Sequence, residues 1–211
     1  MAVKKMNDIK LIQTLKGFNK PYFTIFDLEK ILNIKKESLH VTLNRLVKKG
    51  VLIRLKRGVY LPAFKDPELE KTAGELYYPS YISFESALSR YGILSQIPYT
   101  LLFATTKKSK KICLMGNEIE YRQLKKEYFF GYILNSGVYI AEPEKALLDL
   151  LYMASRGKAS CEISELSLIN LKKNIFLKYS KNFPKSVRIK AKELISKFGK
   201  HVATSDEKEL F

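Results

Sequence analysis

Asn33 stands between two runs of apolar residues at helical spacing, and the second run begins only a few residues after the first ends. Upstream, Thr24 is placed to cap a helix that carries Ile25, Leu28, Ile31 and Leu32 on one side. Asn33 tolerates the left-handed backbone that a tight turn demands. Downstream, Leu39, Leu43, Leu46 and Val47 fall at i, i+4, i+7 and i+8, with Gly50 as the C-terminal cap. A separate run, Met6, Ile9, Ile12 and Leu15, closed by Gly17, predicts a helix before both. Three helices with so short a second turn constrain the N-terminal part to a helix-turn-helix.

The residues after Gly50 extend that reading. Val51 to Leu55 reads as a strand with Ile53 and Leu55 alternating against Arg54 and Lys56; Arg57-Gly58 supplies a turn, and Val59 to Leu61 returns. This hairpin is a wing with Arg54, Lys56 and Arg57 at its tip, where phosphate or minor-groove contacts would be made; the plain alternative is a solvated basic hairpin. Charge supports a polyanionic partner. The chain carries 38 Lys and Arg against 21 Asp and Glu, net +17, and the first 61 residues alone hold 14 against 4.

On a wheel centred opposite the Leu39, Leu43, Leu46 and Val47 stripe, Glu37, Ser38, Val41, Asn44, Arg45 and Lys48 point outward. An outward valine is unfavourable in water, but it can pack on a thymine methyl in a major groove. Ser38, Thr42 and Arg45 offer hydrogen bonds to base edges, and Lys36, Lys48 and Lys49 suit phosphates. The plain alternative for Val41 is a scattered surface apolar residue. His40 lies on the flank of this face.

The expected fold class is α+β: an N-terminal winged helix-turn-helix (1–61), a connector with a short helix (62–78), and a mixed α/β domain with antiparallel strands and C-terminal helices (79–211). In the last of these, Ser83 is placed to cap a helix carrying Phe84, Ala87, Leu88 and Tyr91, with Gly92 as its stop. Strands are expected at 99–106, 111–115, 118–124, 128–134 and 138–141, with a Gly116-Asn117 hairpin turn. Pro143 opens a helix carrying Ala146, Leu147, Leu150 and Leu151. Helices are expected at 164–182 and 184–198, the second stopped by Gly199 and followed by a frayed tail from Lys200. On that last helix Lys185, Arg188 and Lys192 line one side as a secondary DNA contact or a solvated face. Val187, Ala191, Leu194 and Ile195 line the other. Lys107, Lys108, Lys110 and Lys111 form either a further backbone contact or protection for a strand end.

Enzymatic function finds little support. Glu142, Glu144 and Asp149 cluster around one helix, but acids at a helix start are what its dipole favours. His40 and His201 are the only histidines, one in the reading head and one in the tail, so a triad or metal centre is hard to build, and no Gly-rich phosphate loop occurs. Cys113 and Cys161 lack metal or disulfide spacing and read as buried free thiols. No secretory or membrane-spanning stretch is evident, so a cytoplasmic address is expected. The expectation is a chain that is not an enzyme and needs no cofactor or metal.

Three segments carry a family resemblance: LHVTLNRLVKKGVLIRLKRGVY from Leu39 to Tyr60, YISFESALSRYG from Tyr81 to Gly92, and AEPEKALLDLLY from Ala141 to Tyr152. In that order they resemble the AbiEi family of antitoxin transcriptional regulators from type IV toxin-antitoxin, abortive-infection operons. The resemblance implies a repressor that binds inverted repeats in its own promoter. It also implies a functional partner, a toxin of the nucleotidyltransferase type, opposed without a required stable complex. Two other readings stay open: an antitoxin that grips its toxin directly, and a winged-helix regulator unrelated to toxin-antitoxin function.

Overall fold

The computed structural model describes residues 7–18, 20–65 and 68–205, the side chains of 163 and 197–205 excepted. The chain divides into two compact units, Met1–Ala73 with Cys113–Gly116, and Gly74–Ile112 with Asn117–Phe211. Met6, Asp66 and Pro67, the tail beyond Ser205 and the His201 side chain lie outside the described residues.

The first unit is built from α1 (Asp8–Gly17), β1 (Phe23–Thr24), α2 (Ile25–Leu32), α3 (Lys36–Lys48), β2 (Leu52–Lys56) and β3 (Val59–Pro62), the winged-helix order of elements. Thr24 begins α2 with a reciprocal capping box: its hydroxyl oxygen accepts from the Asp27 amide at 3.2 Å, and Asp27 Oδ2 accepts from the Thr24 amide at 2.8 Å. Asn33 ends α2 in the left-handed region at φ 50°. Leu11, Leu15, Phe23, Leu28, Leu39, Leu43 and Leu46 close a purely apolar core with Leu52 and Tyr60.

Two phases within this unit differ from the sequence expectation. In α1 the inward residues are Leu11 and Leu15, while Ile9 is exposed. A 3.6-residue period accommodates both patterns, and the helix turns the more continuous leucine pair inward. In the wing, Leu52 and Leu55 are buried and Ile53 faces out. A bulge between Arg54 and Lys56 leaves Leu55 without a cross-strand partner and breaks strict alternation. The two-residue β1 pairs antiparallel with β3, giving a three-stranded sheet of order β1-β3-β2. A strand that short leaves no periodic signal.

Along the chain there follow α4 (Leu69–Leu76), β4 (Ser80–Ile82), α5 (Phe84–Arg90), β5 (Leu101–Thr105), β6 (Lys110–Leu114), β7 (Asn117–Gln123), β8 (Tyr132–Asn135) and β9 (Val138–Ala141). The helices α6 (Pro143–Ser155), α7 (Lys173–Ser180) and α8 (Lys185–Ser205) follow. The sheet order is β6-β7-β5-β4-β9-β8. Antiparallel pairs occur as expected, β4 with β5 and β8 with β9, but β4 also runs parallel to β9, and β5 parallel to β7. The three-residue β4, absent from the sequence reading, is fully buried and joins the two halves of the sheet. The β6–β7 turn is Met115-Gly116, one residue earlier than expected, since both take the positive φ that a tight hairpin turn needs.

The C-terminal helices differ in extent. Only a 3-10 turn at Ile163–Glu165 and the short α7 form within 164–182, whereas α8 passes through Gly199 and Lys200 to Ser205. A glycine inside a helix costs about 1 kcal/mol against alanine, too little to end one by itself. The cysteines are free, but Cys113 is exposed on the edge strand β6 and Cys161 is half-buried, so neither is the buried thiol expected. Among the described residues no helix is long and apolar enough to cross a membrane.

Candidate nucleic-acid interface

The helix α3 presents one face to solvent because the other is tied into the leucine core. Leu39, Leu43 and Leu46 are buried; Lys36, Glu37, Ser38, Val41, Asn44, Lys48 and Lys49 are exposed, and Thr42 and Arg45 are half-buried. Val41 is 71% exposed, an aliphatic side chain held in water in the middle of a polar face. A shallow trough of about 430 Å³ runs along this face, lined by Asp8, Leu11, Ile34, Ser38, Val41 and Arg45 among others. The side chains expected to read bases therefore share one surface.

The basic residues around that surface fall into two groups. Among the described residues, Lys36, Lys48, Arg54 and Arg57 enter no ion pair. Arg45 and Lys49 are engaged: Asp8 in the first turn of α1 accepts from Arg45 Nη2 at 3.5 Å and from Lys49 Nζ at 2.9 Å. Sequence reasoning missed this link, because the partners are 37 and 41 residues apart and an acid near a helix start is accounted for by the helix dipole. On the wing, Arg54 is exposed and Lys56 half-buried, with Arg57 and Gly58 at the turn. Gly58 takes φ +78°, and its carbonyl accepts from the Ile25 amide at 2.9 Å, which ties the wing tip to the start of α2.

The second unit holds a different constellation. Lys145 and Asp149, four residues apart on α6, form an ion pair with no solvent exposure. Asp149 Oδ2 also accepts from the Tyr81 hydroxyl at 3.0 Å and the Ser83 hydroxyl at 2.8 Å, and Lys145 Nζ donates to the Tyr81 oxygen at 2.8 Å. The ammonium lies 5.2–5.4 Å from the ring centres of Tyr81, Phe130 and Phe183. Burial pushes Lys145 down and Asp149 up, each shift opposed by the partner charge. Ser83 therefore does not cap α5 through its side chain, as the sequence suggested, because its hydroxyl is turned to Asp149.

The other two acids of this helix are equally engaged. Glu142 accepts from the Tyr179 hydroxyl at 2.7 Å, which with burial pushes that phenol up to about 12. Glu144 accepts from the Lys172 amide at 2.7 Å. The three carboxylates weighed as a catalytic cluster thus fasten β4, α6 and α7 to one another.

The C-terminal basic stripe exists as expected. Lys185, Arg188 and Lys192 are exposed on α8, Val187, Ala191 and Leu194 are buried, and Ile195 is half-buried. With Lys181, Leu177 and Ile189 the basic side borders an open groove of about 980 Å³. The lysines after β5 are less available: Lys107 and Lys110 lie over the Tyr77 ring, and Lys111 pairs with Glu118 and Glu120.

Residues 11–63 match a family model described as "Transcriptional regulator, AbiEi antitoxin". The match spans α2, α3 and the wing and includes the first of the three resembling segments. The segments at 81–92 and 141–152 lie outside it. No curated protein matches the chain.

Proposed function

We propose that this chain is a sequence-specific DNA-binding regulator that represses its own operon and acts as the antitoxin of a type IV toxin-antitoxin pair. In this reading α3 enters the major groove of inverted repeats in the promoter. Ser38, Val41, Thr42 and Arg45 meet base edges, Lys36, Lys48 and Lys49 meet phosphates, and Arg54, Lys56 and Arg57 hold the flanking backbone. Lys185, Arg188 and Lys192 add a second, sequence-independent contact. The functional partner is a nucleotidyltransferase-type toxin opposed without a stable complex, and the setting is cytoplasmic.

The observation that carries the reading is Val41, 71% exposed at the centre of a helix face whose other members are polar or basic. In water that placement has an unfavourable solvation term; against a thymine methyl it becomes favourable packing. The match of residues 11–63 to a transcriptional-regulator family supports it independently.

Binding to a promoter duplex and to a shuffled duplex, measured across salt concentrations, tests it. Ser38→Ala, Val41→Ala and Arg45→Ala are expected to lose discrimination between the two by about 1–3 kcal/mol for each good base contact. Lys56→Ala and Arg57→Ala are expected to weaken both duplexes alike. Neutralising Lys185, Arg188 and Lys192 should make the log-log salt slope shallower by about 0.9 for each phosphate no longer engaged. Equal weakening on both duplexes from all five single substitutions would remove α3 from the reading role.

A further inference from the structure

We infer that Asp8 is a specificity-determining residue of the α3 face, acting by withholding two cations from indiscriminate contact with phosphate. The inference rests on the DNA-binding reading above and adds to it a component outside the helix-turn-helix.

The geometry is that of one acid holding two bases. Asp8 lies one residue after Asn7, whose side chain caps α1 by accepting from the Ile9 amide at 3.3 Å, so its carboxylate is fixed in the positive field of a helix start. Arg45 on α3 and Lys49, the C-cap of that helix, are one turn apart, and each oxygen of Asp8 takes one of them. The three side chains remain partly open to water, at 26% for Asp8, 38% for Arg45 and 50% for Lys49. Pairs so exposed contribute little to folding, so stability alone gives little reason for the arrangement.

Its larger effect is on what Arg45 and Lys49 can do at a DNA surface. A guanidinium has five N–H donors, and Asp8 engages Arg45 through Nη2, leaving donors for a base edge while restricting the orientation of the group. On duplex without the right base, Arg45 and Lys49 gain only phosphate contacts, and must leave the carboxylate to make them. On the operator, Arg45 keeps Asp8 and gains the base, whereas Lys49 leaves the carboxylate for phosphate on either duplex, so the discrimination runs through Arg45. The carboxylate therefore weakens binding to arbitrary sequence more than binding to the operator, and it repels phosphate directly as well. Neither neutral substitution, Asp8→Asn or Asp8→Ala, keeps that function.

The test measures binding of the full chain and its variants to a duplex from its own promoter and to a shuffled duplex of equal length and composition, across salt. Asp8→Asn is expected to tighten binding to the shuffled duplex by roughly three- to tenfold at moderate salt. Its log-log slope on that duplex should steepen by about 0.9 for each cation released to phosphate. The promoter-to-shuffled ratio should fall, with thermal unfolding nearly unchanged. In a triple variant that also carries Arg45→Ala and Lys49→Ala, the steepening should vanish.

A purely structural Asp8 would instead lower the melting temperature and weaken both duplexes together. That result, or an unchanged slope and ratio in both Asp8→Asn and Asp8→Ala, overturns the inference while leaving the DNA-binding reading in place. A wild-type chain that fails to prefer its promoter duplex overturns the parent reading, and this one with it.

Discussion

The first unit and the second solve the problem of charge in opposite ways. In the first unit every buried side chain of the core cluster is apolar or tyrosine, and the ionised groups lie outside. In the second, Glu144, Lys145 and Asp149 are at most 3% exposed, and each is met by a partner. An apolar core is tolerant of detail, and it keeps the charges of the unit's described residues out of the interior. A core containing ions fixes its neighbours by direction as well as by volume, since each donor and acceptor must be placed for the burial to be survivable. The first unit is thus built to present charge, and the second to hold a particular arrangement of strand and helix.

The largest expected effect would come from breaking the charged core. Lys145→Met or Asp149→Leu alone leaves a buried ion without its partner and should cost about 3–5 kcal/mol, read by denaturant unfolding with tyrosine near-ultraviolet signals. The double variant should cost less than the sum of the two, and no such coupling would mean that the pair does not act as a unit. The counterpart in the first unit is Leu43→Ala, expected to cost about 2–5 kcal/mol through cavity formation. That loss should track volume and should not be rescued by any second charge change.

The smallest effect concerns the capping box. Thr24→Ala should cost about 1 kcal/mol, read by hydrogen exchange of the α2 amides. Burial alone would raise the Asp27 carboxyl, but the Thr24 and Lys20 hydrogen bonds together hold it below its ordinary 3.8. A carboxyl lowered on folding contributes stability that is present above 3.8 and is lost as pH falls through the lowered value. The gap between wild type and Asp27→Asn should therefore close in acid; a gap that persists there would show that the carboxylate charge is not what begins α2.

How far each unit was legible in the sequence follows from the same contrast. Leucines at helical spacing, Thr24 and Asn33 are local signals, and they mark the helices of the first unit down to the caps of α2. What stayed hidden there depended on pairing: the bulge that turns Ile53 outward, the two-residue β1, and the reach of Asp8 to a helix far along the chain. In the second unit more of the structure is non-local. The strand β4 is three residues long and is defined by its neighbours on either side, β5 and β9. Lys145 and Asp149 have the spacing of an ordinary exposed helix pair, and nothing local distinguishes that from an ion pair in the interior. Ser83 looks like a cap in sequence because its competing partner lies 66 residues away.

The spacing of Lys145 and Asp149 also bears on how the second unit packs. Both members of the ion pair lie on α6. They can meet as soon as that helix turns. The interior then receives two opposite charges side by side on one helix, closer to a dipole than to two separate ions. Tyr81 and Ser83 hold that pair through hydrogen bonds from both hydroxyls to Asp149 Oδ2. A helix docked one residue out of register would turn that pair away from both hydroxyls, so the dipole also serves as a proofreading mark for the final packing of α6.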